Sequence, residues 1–113
     1  MDEINIMLAH VASDKLGIST EVAESEFNKA NTQLVGKWES TSGTSTYNFD
    51  SSGGFVCTYP GNVITGKYRI AKNAFFTFMT SPAMTIGPWW RFSVSGNSLT
   101  MTNEDGTTTF RKK

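Results

Sequence analysis

The sequence predicts a mainly β protein, an eight-stranded antiparallel up-and-down barrel with an N-terminal helical extension. From Leu34 onward, apolar and polar residues alternate in short runs, which is the pattern of half-buried strands. Turn-forming stretches such as Pro60-Gly61-Asn62 separate these runs at intervals of roughly ten residues. No connection is long enough to hold a crossover helix, so we expect each strand to pair antiparallel with the next.

Charge divides the 113 residues into two parts, which we expect to be a helical leader, 1–33, and a barrel, 34–113. The leader has six acidic and two basic residues, a net charge of −4, whereas the barrel has four acidic and eight basic residues, a net charge of +4. We expect the leader to dock on the barrel or to cap it. The balanced total argues against a general nucleic-acid-binding function, which needs a basic excess. Apolar runs fall far short of the ~20 residues that cross a bilayer, so we expect no membrane span.

The leader predicts two short helices. One face of the first helix carries Ile4, Met7, Leu8 and Val11. This spacing is that of an amphipathic helix, and Gly17 is placed to end it. Ser19 or Thr20 can cap the second helix. One face of the second helix carries Ala23, Phe27 and Ala30. Both helices are short and weakly apolar, so they need the barrel to stabilise them.

Eight strands account for the rest of the chain. We place them at residues 34–40, 45–50, 54–59, 63–70, 74–80, 89–95, 98–103 and 107–112. A meander of this kind either closes into a barrel or folds over into a sandwich. We favour the barrel because closure removes both exposed edges, and eight strands leave an interior for side chains or one small ligand.

Alternation within these strands predicts which side chains point into the barrel. The inward set is Trp38, Tyr47, Phe49, Phe55, Cys57, Tyr59, Ile64, Tyr68, Ile70, Phe76, Phe78, Trp90, Phe92, Val94, Leu99, Met101 and Phe110. The pattern is ambiguous in strand 74–80, where Phe75 and Phe76 are adjacent. Because most of the set is aromatic, the interior is either a solid aromatic core or a core that opens into a small pocket at one end.

No residue pattern predicts catalysis, a cofactor or a metal site. The single cysteine, Cys57, and the single histidine, His10, exclude a disulfide and sites rich in Cys or His. We interpret Cys57 as a small buried residue and His10 as a surface or packing residue. Glu104 and Asp105 precede Gly106, so they are turn formers. The chain has no phosphate-binding loop and no hydrolase motif, and we expect no enzymatic activity.

Residues 81–88 form the longest predicted connection, and they are the best candidate for a functional segment. This stretch carries Met84 and Ile86, which a solvated loop does not need, and it leads into Trp89 and Trp90. It is either a lid over the mouth of the barrel or a loop that folds onto the leader and plugs the barrel. The candidate ligand-binding residues are Met79, Met84, Ile86, Trp89, Trp90 and Tyr68.

Gly36-Lys37-Trp38 on the first strand matches the Gly-x-Trp motif that opens lipocalin-type barrels. The later stretches YNFDSSGGF, ITGKYRI and WWRFSVSGNSLTMTNEDGTTTFRKK complete the resemblance to small lipocalin-like, calycin-type domains of bacterial envelope proteins of unassigned function. The resemblance implies that Trp38 packs across the closed end of the barrel beneath a basic residue from near the last strand. Arg111 matches that residue by its order along the chain, so Gly36, Trp38 and Arg111 form the expected structural signature.

Two functions are compatible with the sequence. The first is a non-enzymatic binding module that holds a small apolar ligand at the barrel mouth beneath residues 81–88. The alternative is a protein-interaction or structural domain whose barrel is filled by aromatic side chains. Stacking of a sugar or a base on Trp89 beside Arg91 is a minor option. The compartment and the oligomeric state stay open, because Met1 is not followed by a signal peptide whereas the resemblance implies an envelope or secreted protein.

Overall fold

A computed structural model of the chain describes residues 3–29 and 31–113. Within these ranges two helices, α1 (Glu3–Leu16) and α2 (Thr20–Phe27), precede eight strands. The strands are β1 (Gly36–Ser40), β2 (Thr46–Phe49), β3 (Gly54–Tyr59), β4 (Asn62–Ala71), β5 (Ala74–Ser81), β6 (Thr85–Ser95), β7 (Ser98–Asn103) and β8 (Gly106–Lys112). They pair antiparallel in chain order, and β8 pairs with β1 to close a barrel. The predicted fold class is confirmed.

The two ends of the barrel differ. The upper end carries the turns β1–β2, β3–β4, β5–β6 and β7–β8, whereas the lower end carries the other turns and the segment that leads from α2 into β1. Leu34 is fully buried in this segment and belongs to the interior cluster. The Trp38 indole donates a hydrogen bond to the Leu34 carbonyl over 2.9 Å, which fixes that segment against the lower end.

The interior cluster follows the predicted alternation except in β5. It consists of Leu34, Trp38, Tyr47, Phe49, Phe55, Cys57, Tyr68, Ile70, Phe75, Phe92, Leu99, Met101 and Phe110, with Ile64, Trp90 and Val94 packed against it. The prediction that Phe76 and Phe78 point inward is wrong, because Phe75 takes the inward position and the other two face outward beneath the helices. Residues 74–78 are all buried, so this strand is covered on both faces and shows no alternation to detect.

Both helices pack on the outer wall of β4 and β5 rather than across an end of the barrel. This outer cluster contains Leu8, Ala9, Ala12, Ala23, Ala71, Ala74, Phe76 and Phe78, with Ile4, Met7, Val11, Leu16, Ile18, Phe27 and Trp89 partly buried around it. Gly17 follows α1 with φ +67, and the Ser19 hydroxyl caps α2 by accepting the N–H of Val22 over 3.1 Å. Ala30, predicted for the second helix, lies outside the described residues. Neither described helix is long and apolar enough to cross a membrane.

The structure corrects the predicted connection at residues 81–88. Strand β6 begins at Thr85, so the turn after β5 shortens to residues 82–84. Gly87 and Pro88, which predicted a loop, lie inside β6 where its register with β5 shifts between Phe76 and Phe78. The shift accommodates a proline that cannot donate to the ladder, and the Thr77 hydroxyl donates to the Pro88 carbonyl over 2.7 Å.

The cation above Trp38 is Lys112, not Arg111. The Lys112 ammonium lies 5.1 Å from the centre of the Trp38 ring and donates to the Val35 carbonyl over 3.0 Å. Arg111 is exposed on the outer face, because it follows the inward Phe110 in the alternation of β8. Gly36 makes room for the lysine: with φ +133, a Cβ there would stand 2.7 Å from Lys112 Cε.

Substitution of Gly36 by alanine tests this arrangement, and Gly106 provides a matched control. Gly106 has φ +135 and no described atom within 4 Å of a built Cβ, so Gly106→Ala adds backbone strain alone, about 1–3 kcal/mol. We expect Gly36→Ala to lower the free energy of unfolding by about 1 kcal/mol more than Gly106→Ala, because Lys112 must also give up its hydrogen bond to the Val35 carbonyl. Urea denaturation measures both.

The same comparison in a Lys112→Ala background isolates the role of the lysine. In that background Gly36→Ala and Gly106→Ala should lower the free energy of unfolding by the same amount, since the side chain that obstructs a Cβ at Gly36 is gone. Equal losses of stability from the two variants in the wild-type background would contradict the packing of Lys112 over Gly36.

Candidate functional site

An apolar cavity of about 240 Å³ lies inside the upper end of the barrel. It is lined by Tyr47, Phe55, Cys57, Tyr59, Ile64, Thr77, Met79 and Pro88. These side chains come from the five consecutive strands β2 to β6, whose register places Tyr47 beside Cys57 and Cys57 beside Ile64. None of these lining residues is charged. Tyr59, the last residue of β3, is 36 % exposed and stands at the rim.

The cavity exists because the size of the inward side chains changes along the barrel axis. Towards the lower end, Phe49 packs edge-on against Tyr68 and Phe75, with ring centres 4.9 and 5.5 Å apart. Towards the upper end, the inward positions of β3 and β5 hold Cys57 and Thr77, which are much smaller than a ring. Large rings fill the lower interior at the density of a protein core, and the smaller residues leave the space above it.

The polar groups of the cavity wall are neutral donors. Burial raises the pKa of the Tyr47 hydroxyl well above its usual range, with the neighbouring Cys57 adding to the effect. Burial also raises the pKa of the Cys57 thiol, and the neighbouring Tyr47 hydroxyl opposes this in part. The Thr77 hydroxyl donates a hydrogen bond to the Pro88 carbonyl. At neutral pH the wall therefore carries protonated groups and no ionised one.

Trp90 points into the barrel but does not line the cavity. It lies two residues beyond the lining residue Pro88 on β6, pairs with Phe75, and packs against the interior cluster. Its Nε1–H is buried and, among the described residues, has no hydrogen-bond partner. The indole lies close enough to Tyr47 to affect the pKa of that hydroxyl, but the two groups do not meet the geometry of a hydrogen bond.

Of the candidate residues, the structure brings Met79 to the cavity, places Trp90 against the interior cluster, and places the others elsewhere. Met84 is 75 % exposed at the turn between β5 and β6. Tyr68 lies towards the lower end, where its hydroxyl donates to the Asp50 carbonyl over 2.8 Å. These two residues do not line the cavity.

Ile86 and Trp89 lie on the outside of the barrel. Ile86 borders a groove beside α1, together with His10 and other residues of that helix. Trp89 stacks on Phe76 with ring centres 5.8 Å apart, and the Arg91 guanidinium lies 5.4 Å from its ring centre. The indole of Trp89 therefore packs against the outer cluster and does not reach the cavity.

Sequence reasoning missed the residues that shape the cavity. Alternation had already placed Tyr47, Cys57 and Ile64 inward, which is correct, but nothing marked them as neighbours at one end. The order of the turns carried this signal, because residues close to the turns β1–β2, β3–β4, β5–β6 and β7–β8 share the upper end of the barrel. Thr77 and Pro88 carried no such signal, because the first depends on the inward face of β5 and the second on the shifted register of β6.

A groove of about 260 Å³ near the lower end is a weaker candidate. It lies between α2 and the β2–β3 turn, and its two cations are already engaged. The Arg69 guanidinium donates to the carbonyls of Tyr68 and Gly53, and Lys29 pairs with Glu26. Among the described residues, no group of three or more His, Cys, Asp or Glu side chains is arranged to hold a metal ion.

The chain matches no protein-family model, no curated protein and no solved structure. Its geometry defines the class on its own: a small closed antiparallel β-barrel, with two helices on one wall and an apolar cavity at the upper end.

The raised pKa of Tyr47 predicts that the fold weakens in alkali. Above pH 10, the ordinary value for tyrosine, the unfolded chain releases this proton while the folded chain keeps it. The stability is therefore full below that pH and declines as pH rises. We expect Tyr47→Phe to make the decline between pH 10 and 11 shallower by about 1 kcal/mol per pH unit, measured by urea denaturation at a series of pH values. Parallel curves for the two proteins would contradict the burial of the ionisable hydroxyl.

Proposed function

We propose that the protein is a non-enzymatic binding module that holds one small apolar molecule in the cavity at the upper end of the barrel. The observation that carries this proposal is a cavity of about 240 Å³ whose lining residues are all uncharged. Protein interiors are close-packed, and unfilled volume in a core lowers stability. A chain of 113 residues has a small hydrophobic core, and unfilled volume of this size costs it a large share of its stability. The cavity therefore favours a bound molecule.

The volume limits the ligand. An apolar cavity of roughly 150 Å³ in another protein is large enough to bind benzene. The cavity here therefore suits a single ring with a short substituent, and it is too small for a long lipid chain. Pockets for drug-sized ligands begin at roughly 300 Å³.

Two further features support a binding module of the lipocalin-like type. Gly36, Trp38 and Lys112 close the lower end in the manner that the Gly-x-Trp resemblance implies, with the cation one residue beyond the expected position. The wall of the cavity also favours binding over catalysis. Its thiol, Cys57, has a raised pKa, which opposes formation of the nucleophilic thiolate.

A protein-interaction domain is the second candidate, and the exposed apolar residues near the upper end favour it. Met84 is 75 % exposed and Val63 is 56 % exposed, close to the turns on either side of the cavity mouth. A protein partner seated there would cover both residues and would not need the cavity. Binding of small molecules separates the two candidates.

Filling the cavity tests the proposal. Ethylbenzene and acetophenone are suitable probes, since each has one ring and a two-carbon substituent. We expect at least one of them to bind the wild-type protein, and Cys57→Phe to weaken that binding at least tenfold because the new ring occupies the cavity. Val56→Phe is the matched control: it introduces the same ring one residue earlier on β3, where the side chain is 38 % exposed on the outer face. Ligand-observed NMR measures the affinities.

Binding that survives in Cys57→Phe would place the probe outside the cavity and overturn the proposal. Failure of the wild-type protein to bind either probe up to its solubility limit would overturn it as well, and would shift the weight to the protein-interaction domain. Thermal unfolding of each variant confirms that the barrel is intact before binding is compared.

A further inference from the structure

Three hairpins at the upper end of the barrel carry no charged side chain. The uncharged stretches are residues 40–49, 51–66 and 73–90, which contain the turns β1–β2, β3–β4 and β5–β6. They make up more than a third of a chain in which 18 % of the residues are charged, so an ordinary solvated surface would place several charges there. The charges of the barrel are instead concentrated towards its lower end, at positions such as Lys37, Asp50 and Lys72.

The tips of two of these hairpins expose apolar side chains. Seven large apolar side chains are exposed among the described residues, and five of them lie in the uncharged stretches: Val56, Tyr59, Val63, Met84 and Ile86. Met84 and Val63 are the two most exposed, and they flank the turns β5–β6 and β3–β4. Pro60 and Pro82 are exposed at the same tips and have no backbone N–H that would need a partner outside water.

The turn β1–β2 is polar, but its polar groups satisfy one another. The Ser40 hydroxyl accepts the backbone N–H groups of Thr44 and Ser45, both over 3.1 Å. The Ser42 hydroxyl lies 3.2 Å from that of Ser40 and 2.8 Å from that of Thr44. Because these groups already form hydrogen bonds, removing them from bulk water costs less free energy than removing unpaired hydroxyls.

The charge pattern favours a lipid bilayer over a protein as the surface that covers this end. Protein interfaces lose charge only at their core, are enriched in Arg, and keep a polar, hydrated rim. Here the uncharged surface extends over three neighbouring hairpins and contains no Arg. A charged group would lose its hydration among lipids, whereas Met and Val gain from burial there and Tyr is enriched at the membrane interface.

The fourth hairpin of the upper end determines the tilt of a docked barrel. Its turn carries Glu104 and Asp105, which are both exposed. Lys15 at the end of α1 lies 4.0 Å from Glu104, so the charged groups of this end gather on the side of β7, β8 and α1. That side stays in water when the barrel tilts to bring the turns β3–β4 and β5–β6 against the lipid.

We propose that the upper end of the barrel docks peripherally on a lipid bilayer, with Met84 and Val63 inserted among the lipids. Attraction between cations and anionic headgroups plays no part, because the uncharged stretches contain no Lys or Arg. This inference goes beyond the proposed function and does not depend on it. It also gives the cavity a source of ligand, since docking presents the rim at Tyr59 to a medium in which small apolar molecules accumulate.

Cosedimentation with phosphatidylcholine vesicles tests the docking. We expect wild-type protein to bind, and Met84→Asp and Val63→Asp each to weaken binding by about tenfold or more, because an inserted carboxylate loses its hydration. Val22→Asp is the matched control: it introduces the same charge at a residue of α2 that is 41 % exposed on the wall of the barrel. Its binding should equal that of the wild type, and thermal unfolding confirms that each variant is folded.

The lipid and salt dependence tests the absence of an electrostatic contribution. Replacing a third of the phosphatidylcholine with phosphatidylserine should change the affinity by less than about twofold, and so should a tenfold increase in salt concentration. Much tighter binding to the anionic vesicles, or release of the protein by salt, would overturn the proposal.

Three other outcomes would also overturn it. Wild-type protein that binds neither kind of vesicle does not dock on lipid. Binding that Met84→Asp and Val63→Asp leave unchanged would place the lipid contact elsewhere on the protein. A wild-type dimer that forms without lipid and is dissociated by Met84→Asp, measured by sedimentation velocity, would assign this end to a second copy of the chain. The proposed function is tested separately, because ethylbenzene and acetophenone are titrated without vesicles.

Discussion

The contact between Trp38 and Lys112 is the constraint on which the rest of the structure depends. It joins the first strand of the barrel to the last, and the hydrogen bonds to Leu34 and Val35 fasten the incoming chain beneath them. These contacts close the lower end of the barrel. Aromatic rings fill the interior above this closed end, and the unfilled volume lies at the upper end as the cavity.

Strand β5 connects the two clusters of the molecule. Its inward side chains, including Phe75 and Thr77, belong to the aromatic interior and the cavity wall. Its outward side chains, Phe76 and Phe78, form the surface on which the helices dock. The helices bury little apolar area of their own, so their stability derives from this strand. A single strand thus holds both the leader and the candidate site in place.

The sequence was sufficient to predict the closed barrel, the number of strands and most inward positions, because period-two alternation reports burial on one face. The prediction from alternation failed where a strand is buried on both faces or where its register shifts. Phe75 and Phe76 are both buried, so alternation could not orient them, and Gly87-Pro88 resembles a loop although a register shift keeps it in β6. The cavity could not be predicted, because it depends on the volumes of side chains from five strands rather than on which way each one points. The cation over Trp38, by contrast, was open to prediction, because Lys112 shares the inward parity of Phe110 and pairs with Trp38.

The docking of the helices on β5 makes the leader and the barrel one packing unit. Ala9, Ala12 and Ala23 are fully buried against Phe76 and its neighbours, where an added methylene has no room. Substitutions on the two sides of this contact are energetically coupled, so a change in a helix selects for a compensating change in the strand. Since the opposite face of that strand shapes the cavity, such compensation reaches the cavity wall. A substitution in the leader can therefore alter the shape of the cavity without changing any residue that lines it.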